Sequence, residues 1–250
     1  MFSTYICWTL INAGLPYWGA FLLTMVISFA GGAFIQLVVL RPVMKAPVLS
    51  VVIVFIGMLV IFNSLAGWIY SYLIKPFPSP FPVTALELGG IVFSAHSLGA
   101  IGVTLIILTL LYLFFRHTTL GLAMRAAAQN PVSSRLVGIR VNYMLALGWA
   151  LAAMVGSVAG MMVAPIVFLD PNMMSGVLLY AFAAALLGGI TSPGGAVLGG
   201  FVVGVLENLL ATYVPFIGNE LKQAVALVLI IGVLLFRPSG LFGKIVVHRV

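Results

Sequence analysis

Residues 48–74 read VLSVVIVFIGMLVIFNSLAGWIYSYLI, a run that contains no Asp, Glu, Lys or Arg. A helix of about 20 apolar residues is long enough to cross the roughly 30 Å of hydrocarbon in a bilayer. This run is longer than that and lacks the polar stripe that a surface helix of a soluble protein carries. It therefore predicts a membrane-spanning helix.

Similar runs recur along the chain. They occupy residues 17–40, 97–115, 142–164, 196–213 and 221–236, with a shorter one at 176–190. Of the 250 residues, 63% are hydrophobic and only 6% are charged, against about 25% in soluble domains. We expect an all-α fold: a polytopic transmembrane helix bundle of about seven spans, forming one domain over residues 1–250. The segment 176–190 is either a full span or a re-entrant one.

The basic residues divide unevenly between the two sides of such a bundle. If all seven segments cross, one side receives nine of the eleven Lys and Arg residues and the other receives Lys75 and Lys222. The nine are Arg41, Lys45, Arg116, Arg125, Arg135, Arg140, Arg237, Lys244 and Arg249. The positive-inside rule predicts that this side is cytoplasmic, with the N-terminus external and the C-terminus cytoplasmic.

Residues 116–140 form a polar, basic interruption between two apolar runs. The stretch holds four Arg residues and no acid, and its first half is rich in good helix formers. A small apolar face is predicted at helical spacing, comprising Leu120, Ala123, Met124, Ala127 and Ala128. One interpretation is a docking helix for a cytoplasmic partner, whose groove accepts that face. The alternative is a loop whose arginines only set the topology.

Two places are candidates for a solute pathway. Glu207 is the only ionisable residue deep in a predicted span and stands beside Asn208; intramembrane charges are costly and mark functional sites. The second place is a break after the segment 176–190, where backbone groups are freed to contact substrate. Its candidate residues are Thr191, Ser192, Gly194 and Gly195. The alternatives are a Glu207 that is solvated or held by Asn208, and a break that is only a tight turn.

Pairs of glycines four residues apart predict close helix packing. They are Gly156 with Gly160, Gly195 with Gly199, and Gly200 with Gly204.

Several function classes find no support in these 250 residues. There is no G-x-x-x-x-G-K-[ST] phosphate-binding loop, no cluster of acids or histidines for metal or acid–base chemistry, and only one cysteine, Cys7. We therefore expect no enzyme, metal or cofactor site. Because the basic residues lie between apolar runs, they are not expected to bind nucleic acid.

Three stretches in the same order carry a family resemblance. Residues 120–131, LGLAMRAAAQNP, are followed by RLVGI at 135–139; a Gly-rich segment occupies 187–200; and LFRPSGLFG occupies 235–243. Together they resemble bacterial branched-chain amino-acid ABC transporter permeases over nearly the whole chain. The broader importer class often has Glu-Ala-Ala where this chain has Arg125-Ala126-Ala127, so the likeness is specific at family level.

The resemblance implies an import machine with several components. This chain would be one of two permease subunits, served by cytoplasmic ATP-binding subunits and by an external solute-binding protein that delivers a small amphipathic solute. Rigid-body alternation between outward- and inward-facing states would move the solute. The positions that would couple to the ATPases are Arg125, Ala126, Ala127, Gln129, Asn130 and Gly138.

Family members usually begin with further apolar helix, so the resemblance also implies a chain that lacks the N-terminal helices of the family. The competing interpretation is an ATP-independent secondary transporter or channel. Several intramembrane ionisable residues or an inverted repeat would favour that class.

Overall fold

The computed structural model describes residues 1–44, 46–82, 85–88, 91–214, 221–236 and 240–243. The helices over these residues are α1 Phe2–Asn12, α2 Tyr17–Ile35, α3 Arg41–Val43, α4 Val48–Tyr70, α5 Ala95–His117, α6 Thr119–Gln129, α7 Pro131–Leu136, α8 Val141–Val167, α9 Met174–Gly188, α10 Pro193–Tyr213 and α11 Lys222–Phe236. A π-helical turn, Gln36–Leu40, joins α2 to α3, and a hairpin of β1 Ala85–Leu88 and β2 Ile91–Ser94 precedes α5.

The predicted all-α, polytopic fold is confirmed. Five helical stretches are long and apolar enough to cross a membrane: Tyr17–Val43, Val48–Tyr70, Ala95–His117, Val141–Val167 and Pro193–Tyr213. Helices α9 and α11 have 15 residues each. At 1.5 Å per residue they extend about 22 Å, which is shorter than the roughly 30 Å hydrocarbon layer.

Helix α4 shows how these helices meet the bilayer. Its most apolar 18-residue window has no buried residue, and bulky side chains such as Val48, Leu49 and Trp68 are more than 70% exposed. A helix that is apolar on every side is stable in this position only when lipid or another membrane helix surrounds it.

The chain divides into two compact units, residues 1–173 and 174–250. In the first unit, α2 packs along α8. A side-chain carbon at Gly32 would collide with Ala153 and with the carbonyl oxygen of Trp149, and one at Gly160 would collide with the hydroxyl of Thr4 on α1. Glycine at these two positions therefore lets α1 and α2 approach α8 at backbone distance.

Aromatic and charged side chains gather where α4 and α8 end. Both helices stop at a residue with φ of +64°, Ser71 and Phe168. The following segments pair through two backbone hydrogen bonds of 3.0 and 2.9 Å between Lys75 and Leu169. The Lys75 ammonium lies 4.3 Å from the centre of the Trp8 ring, a cation–π contact that brings α1 to the same place.

In the second unit, α9 and α10 pack through backbone contacts. A side-chain carbon at Gly199 would overlap the Ala184 carbonyl and lie 2.8 Å from the Gly188 nitrogen, and Gly195 is equally close to the Gly188 carbonyl. The predicted pair Gly195 and Gly199 thus lies at a tight helix contact.

The end of α9 is closed by a segment distant in sequence. The backbone N–H of Leu241 donates to the carbonyl of Leu187 at 2.8 Å, and that of Phe242 donates to the carbonyl of Gly188 at 3.1 Å. These carbonyls have no donor within their own helix. Two of the stretches that carry the family resemblance, the Gly-rich segment and the C-terminal one, are therefore in direct contact.

We expect Gly199→Ala to destabilise the protein by about 1–3 kcal/mol, since overpacking at a tight contact forces the backbones apart. Gly204→Ala is the matched control on the same helix, because no atom lies within 4 Å of its side-chain position. That control should be neutral or stabilising by up to about 1 kcal/mol, the helix-propensity gain of alanine over glycine. Thermal unfolding in detergent measures the stability of both variants. Equal shifts of the unfolding temperature would contradict a tight helix contact at Gly199.

Candidate functional site

The basic stretch 116–140 folds into two short helices, α6 and α7, each with a side-chain N-cap. The Thr118 hydroxyl accepts a hydrogen bond from the Gly121 N–H at 3.0 Å. The Asn130 carbonyl oxygen accepts two, from the N–H groups of Val132 at 3.1 Å and Ser133 at 3.0 Å. Because an N-cap fixes where a helix begins, Asn130 separates α6 from α7.

One side of α6 is attached to α8. Ala127 is only 5% exposed and clusters with Val141 and Met144, while Ala123 and Met124 pack against that cluster. The prediction that this face is free for a partner groove is therefore wrong for these three residues. The physical reason is that α8 returns beside α6 and buries its apolar stripe within the same chain.

The other side of α6, together with α7, is exposed. We call this set the docking side; its members are Leu122, Arg125, Gln129, Val132, Leu136 and Val137. The four apolar members are between 61% and 84% exposed. Within the described ranges the Arg125 guanidinium has no ion-pair partner. Exposed apolar side chains around an unpaired cation form a surface suited to a complementary protein.

The six predicted coupling positions are distributed over this pair of helices. Arg125, Gln129, Asn130 and Gly138 are exposed, Ala126 is half-buried and Ala127 faces α8. Gly138 lies two residues after the end of α7 and has a φ of +85°, a conformation that glycine adopts without the strain other residues would carry.

The predicted break in the second unit is a capped turn. The Ser192 hydroxyl accepts from the N–H of Gly195 at 3.1 Å, and Pro193 occupies the first position of α10. Thr191 and Gly194 are exposed, whereas Gly195 is buried against α9. The structure thus uses Ser192 and Gly195 for capping and packing.

Glu207 is half-buried on α10, and its carboxylate lies beside the hydroxyl of Tyr180 on α9. Asn208 is exposed and lines a shallow groove of about 320 Å³ along α10, together with Gly200 and Gly204. Tyr180 on the facing helix is therefore a polar neighbour of Glu207.

Sequence reasoning did not find a set of polar side chains inside the first unit. We call it the polar seam; its members are Thr4, Tyr5, Tyr17, Thr24, Ser28 and Gln36. Thr4, Tyr5 and Thr24 have no exposed surface and Gln36 is 1% exposed. In each of the six, a buried side-chain oxygen has no hydrogen-bond partner among the described residues. The Cys7 sulfur lies beside the Thr24 hydroxyl, but sulfur is only a weak hydrogen-bond acceptor.

Two hydroxyls on another helix of the described chain are paired. Thr104 and Thr109 on the exposed side of α5 each donate to the carbonyl four residues earlier at 2.8 Å. A buried polar group left without a partner costs about 1–3 kcal/mol. Six of them along two packed helices are therefore unusual. The available sequence signal was the recurrence of Thr24, Ser28 and Gln36 within an otherwise apolar helix.

The chain resembles known proteins over most of its length. The family model described as "Branched-chain amino acid transport system / permease component" matches residues 1–234. The chain is 33% identical over 239 residues to the "High-affinity branched-chain amino acid transport system permease protein BraD" of Pseudomonas aeruginosa, covering 92% of this chain and 76% of that protein. No solved structure matches it significantly.

Two further relatives carry the name LivH. The permease protein LivH of Salmonella typhimurium is 31% identical over 250 residues, covering 97% of this chain and 78% of that protein. The probable LivH of Methanocaldococcus jannaschii is 27% identical over 234 residues, with 88% and 74% covered. With its apolar helices and a family match over most of its length, this multi-pass membrane protein belongs to the family of branched-chain amino acid transport system permease components.

Proposed function

We propose that this chain is the membrane-spanning permease subunit of an ATP-driven ABC importer for branched-chain amino acids or related small amphipathic solutes. The observation that carries the proposal is the docking side of α6 and α7, exposed on a chain whose 250 residues contain no nucleotide-binding motif. A permease of this kind needs a surface on which separate ATPases act. The family match supports the same conclusion.

The proposed assembly contains cytoplasmic ATP-binding subunits, a second permease subunit and an external solute-binding protein. In the bacterial inner membrane, the basic residues would place α6, α7 and the C-terminus in the cytoplasm and the N-terminus outside. The docking side then faces the compartment that contains ATP.

The contacts of α6 supply a route from the ATPases to the membrane helices. Ala127 is buried against Val141 and Met144 near the start of α8, and α8 packs along α2 at Gly32. A displacement of α6 by a moving ATPase would therefore be passed to α8 and then to α2. Rigid-body motion of packed helices is an established way to switch between two states.

The test is co-purification of the chain with the cytoplasmic ATP-binding subunits of the proposed importer, produced together with it. Arg125→Glu reverses the charge at the centre of the docking side and should weaken the complex by roughly tenfold or more, about 1.4 kcal/mol. Arg116→Glu makes the same charge change in the same stretch. It is the matched control, because the Arg116 guanidinium is already engaged by Tyr112, with a hydrogen bond of 2.8 Å to the hydroxyl.

Equal weakening by both substitutions would show that only overall charge matters, and the docking assignment would fail. Solute transport driven by an ion gradient, in vesicles that contain this chain and no ATPase, would favour the secondary transporter instead.

A second prediction concerns the order of α7. Asn130→Ala removes both capping bonds and should cost the local helix about 1 kcal/mol, which would lower ATPase affinity by roughly fivefold. Asn130→Ser keeps a capping oxygen and should stay within about twofold of the parent protein. Binding titrations in detergent measure the affinities, and thermal unfolding should show little change in either variant. An affinity loss of the same size in both variants would contradict a capping role.

A further inference from the structure

The polar seam extends across the first unit over a distance close to the thickness of a membrane. Tyr17, Thr24 and Ser28 lie on one side of α2, seven and four residues apart, and Gln36 follows where the helix widens into the π turn. From Tyr17 to Gln36 the helix rises about 28 Å, against roughly 30 Å of hydrocarbon. Isolated π turns are frequent at functional sites.

The side-chain oxygens of the polar seam are buried, yet they form no hydrogen bonds with other described residues. Thr24 and Ser28 do not bond to the carbonyls four residues earlier, as Thr104 and Thr109 do. In hydrocarbon no water is present to replace such a bond. The polar seam therefore offers a row of unpaired hydrogen-bond donors and acceptors to a solute that passes between the helices.

One end of the seam meets charges of both signs. The Tyr5 ring stacks on Tyr70 with 4.6 Å between ring centres, and its hydroxyl is close enough to Asp170 to sense that carboxylate. The backbone pairing of Lys75 with Leu169 brings the Lys75 side chain to the same end. No ion pair between Lys75 and Asp170 occurs among the described residues. The Lys75 ammonium lies over the Trp8 and Tyr70 rings, and an Asp170 carboxylate oxygen accepts a hydrogen bond from the backbone N–H of Asn172.

We infer that the polar seam is the hydrogen-bonding wall of the solute pathway in this subunit, and that its occupant is a zwitterionic amino acid that enters beside Lys75 and Asp170. This rests on the proposed transport function. The two charges at the mouth complement the carboxylate and ammonium of a zwitterion, and the seam replaces the water that its polar groups lose.

The packing of α8 fits this role. Helix α8 packs on α2 at Gly32 and on Thr4 of α1 at Gly160, and these contacts are made by backbone and small side chains. Such smooth surfaces can slide or separate without breaking interlocked side chains, as in shear motions of packed helices. Movement of α8 away from α2 exposes the seam.

The first arm of the test asks whether water reaches the seam. In a Cys7→Ala background and the assembled importer, Ser28→Cys should react with a small hydrophilic methanethiosulfonate reagent, with a rate that changes at least tenfold between nucleotide-free and ATP-trapped states. Thr104→Cys is the control, since Thr104 is exposed on the apolar surface of α5. A thiol in apolar surroundings stays protonated and unreactive. Equal, slow reaction of both cysteines in every nucleotide state would overturn the inference.

The second arm removes a hydroxyl without much change of shape. Thr24→Val should leave the unfolding temperature unchanged or raise it, because an unpaired polar group disappears from the interior. Uptake of radiolabelled leucine should nevertheless fall at least tenfold. Thr109→Val should leave uptake within twofold, since Thr109 only bonds to its own helix. Thr24→Val with uptake within twofold of the parent would overturn the inference.

The two arms separate this inference from the function on which it rests. If the parent chain with its partners takes up no leucine, the proposed function fails for that solute, while the cysteine labelling still decides whether the seam meets water. If the parent transports leucine and the seam variants behave like the controls, only the seam assignment fails.

Discussion

Hydrocarbon contains no water to bond a polar group, and most of the structure can be understood from that constraint. Backbone groups are satisfied within helices, and the helix ends of the second unit are closed by particular partners: Ser192 at the N-terminus of α10, and Leu241 with Phe242 at the end of α9. Against this background the unpaired oxygens between α1, α2 and α8 are an exception. An exception repeated six times along one track indicates a function more readily than a packing fault.

The same helix, α8, serves both of the candidate sites in the first unit. Near its start it holds Ala127 of α6, and along its length it covers α2 through contacts at Gly32 and Gly160. The docking side and the polar seam are therefore linked through one rigid element. Such a link lets a force applied at one end of a helix pair change what is accessible between them, without a separate relay of side chains.

The sequence predicted what depends on local composition. Long apolar runs located the spans because length and hydropathy are properties of each segment alone, and the basic interruption located α6 and α7 for the same reason. The sequence led to a wrong assignment of the apolar face of α6. Periodicity shows that Ala123 and Ala127 face an apolar surface, but it does not show that this surface belongs to α8. Contacts between distant segments could not be predicted either. Nothing in the local sequence shows that Thr4 of the short helix α1 contacts Gly160, or that Leu241 contacts Leu187.

The two hydrogen bonds that close the end of α9 have a consequence for biosynthesis. Leu187 and Gly188 receive their last hydrogen bonds from residues made more than fifty positions later in the chain. At roughly 5–20 residues per second, a ribosome takes some seconds to cover that distance. During that interval the two carbonyls must be solvated by the translocation machinery or by headgroups. The end of α9 is therefore closed only after residues 241 and 242 have been made.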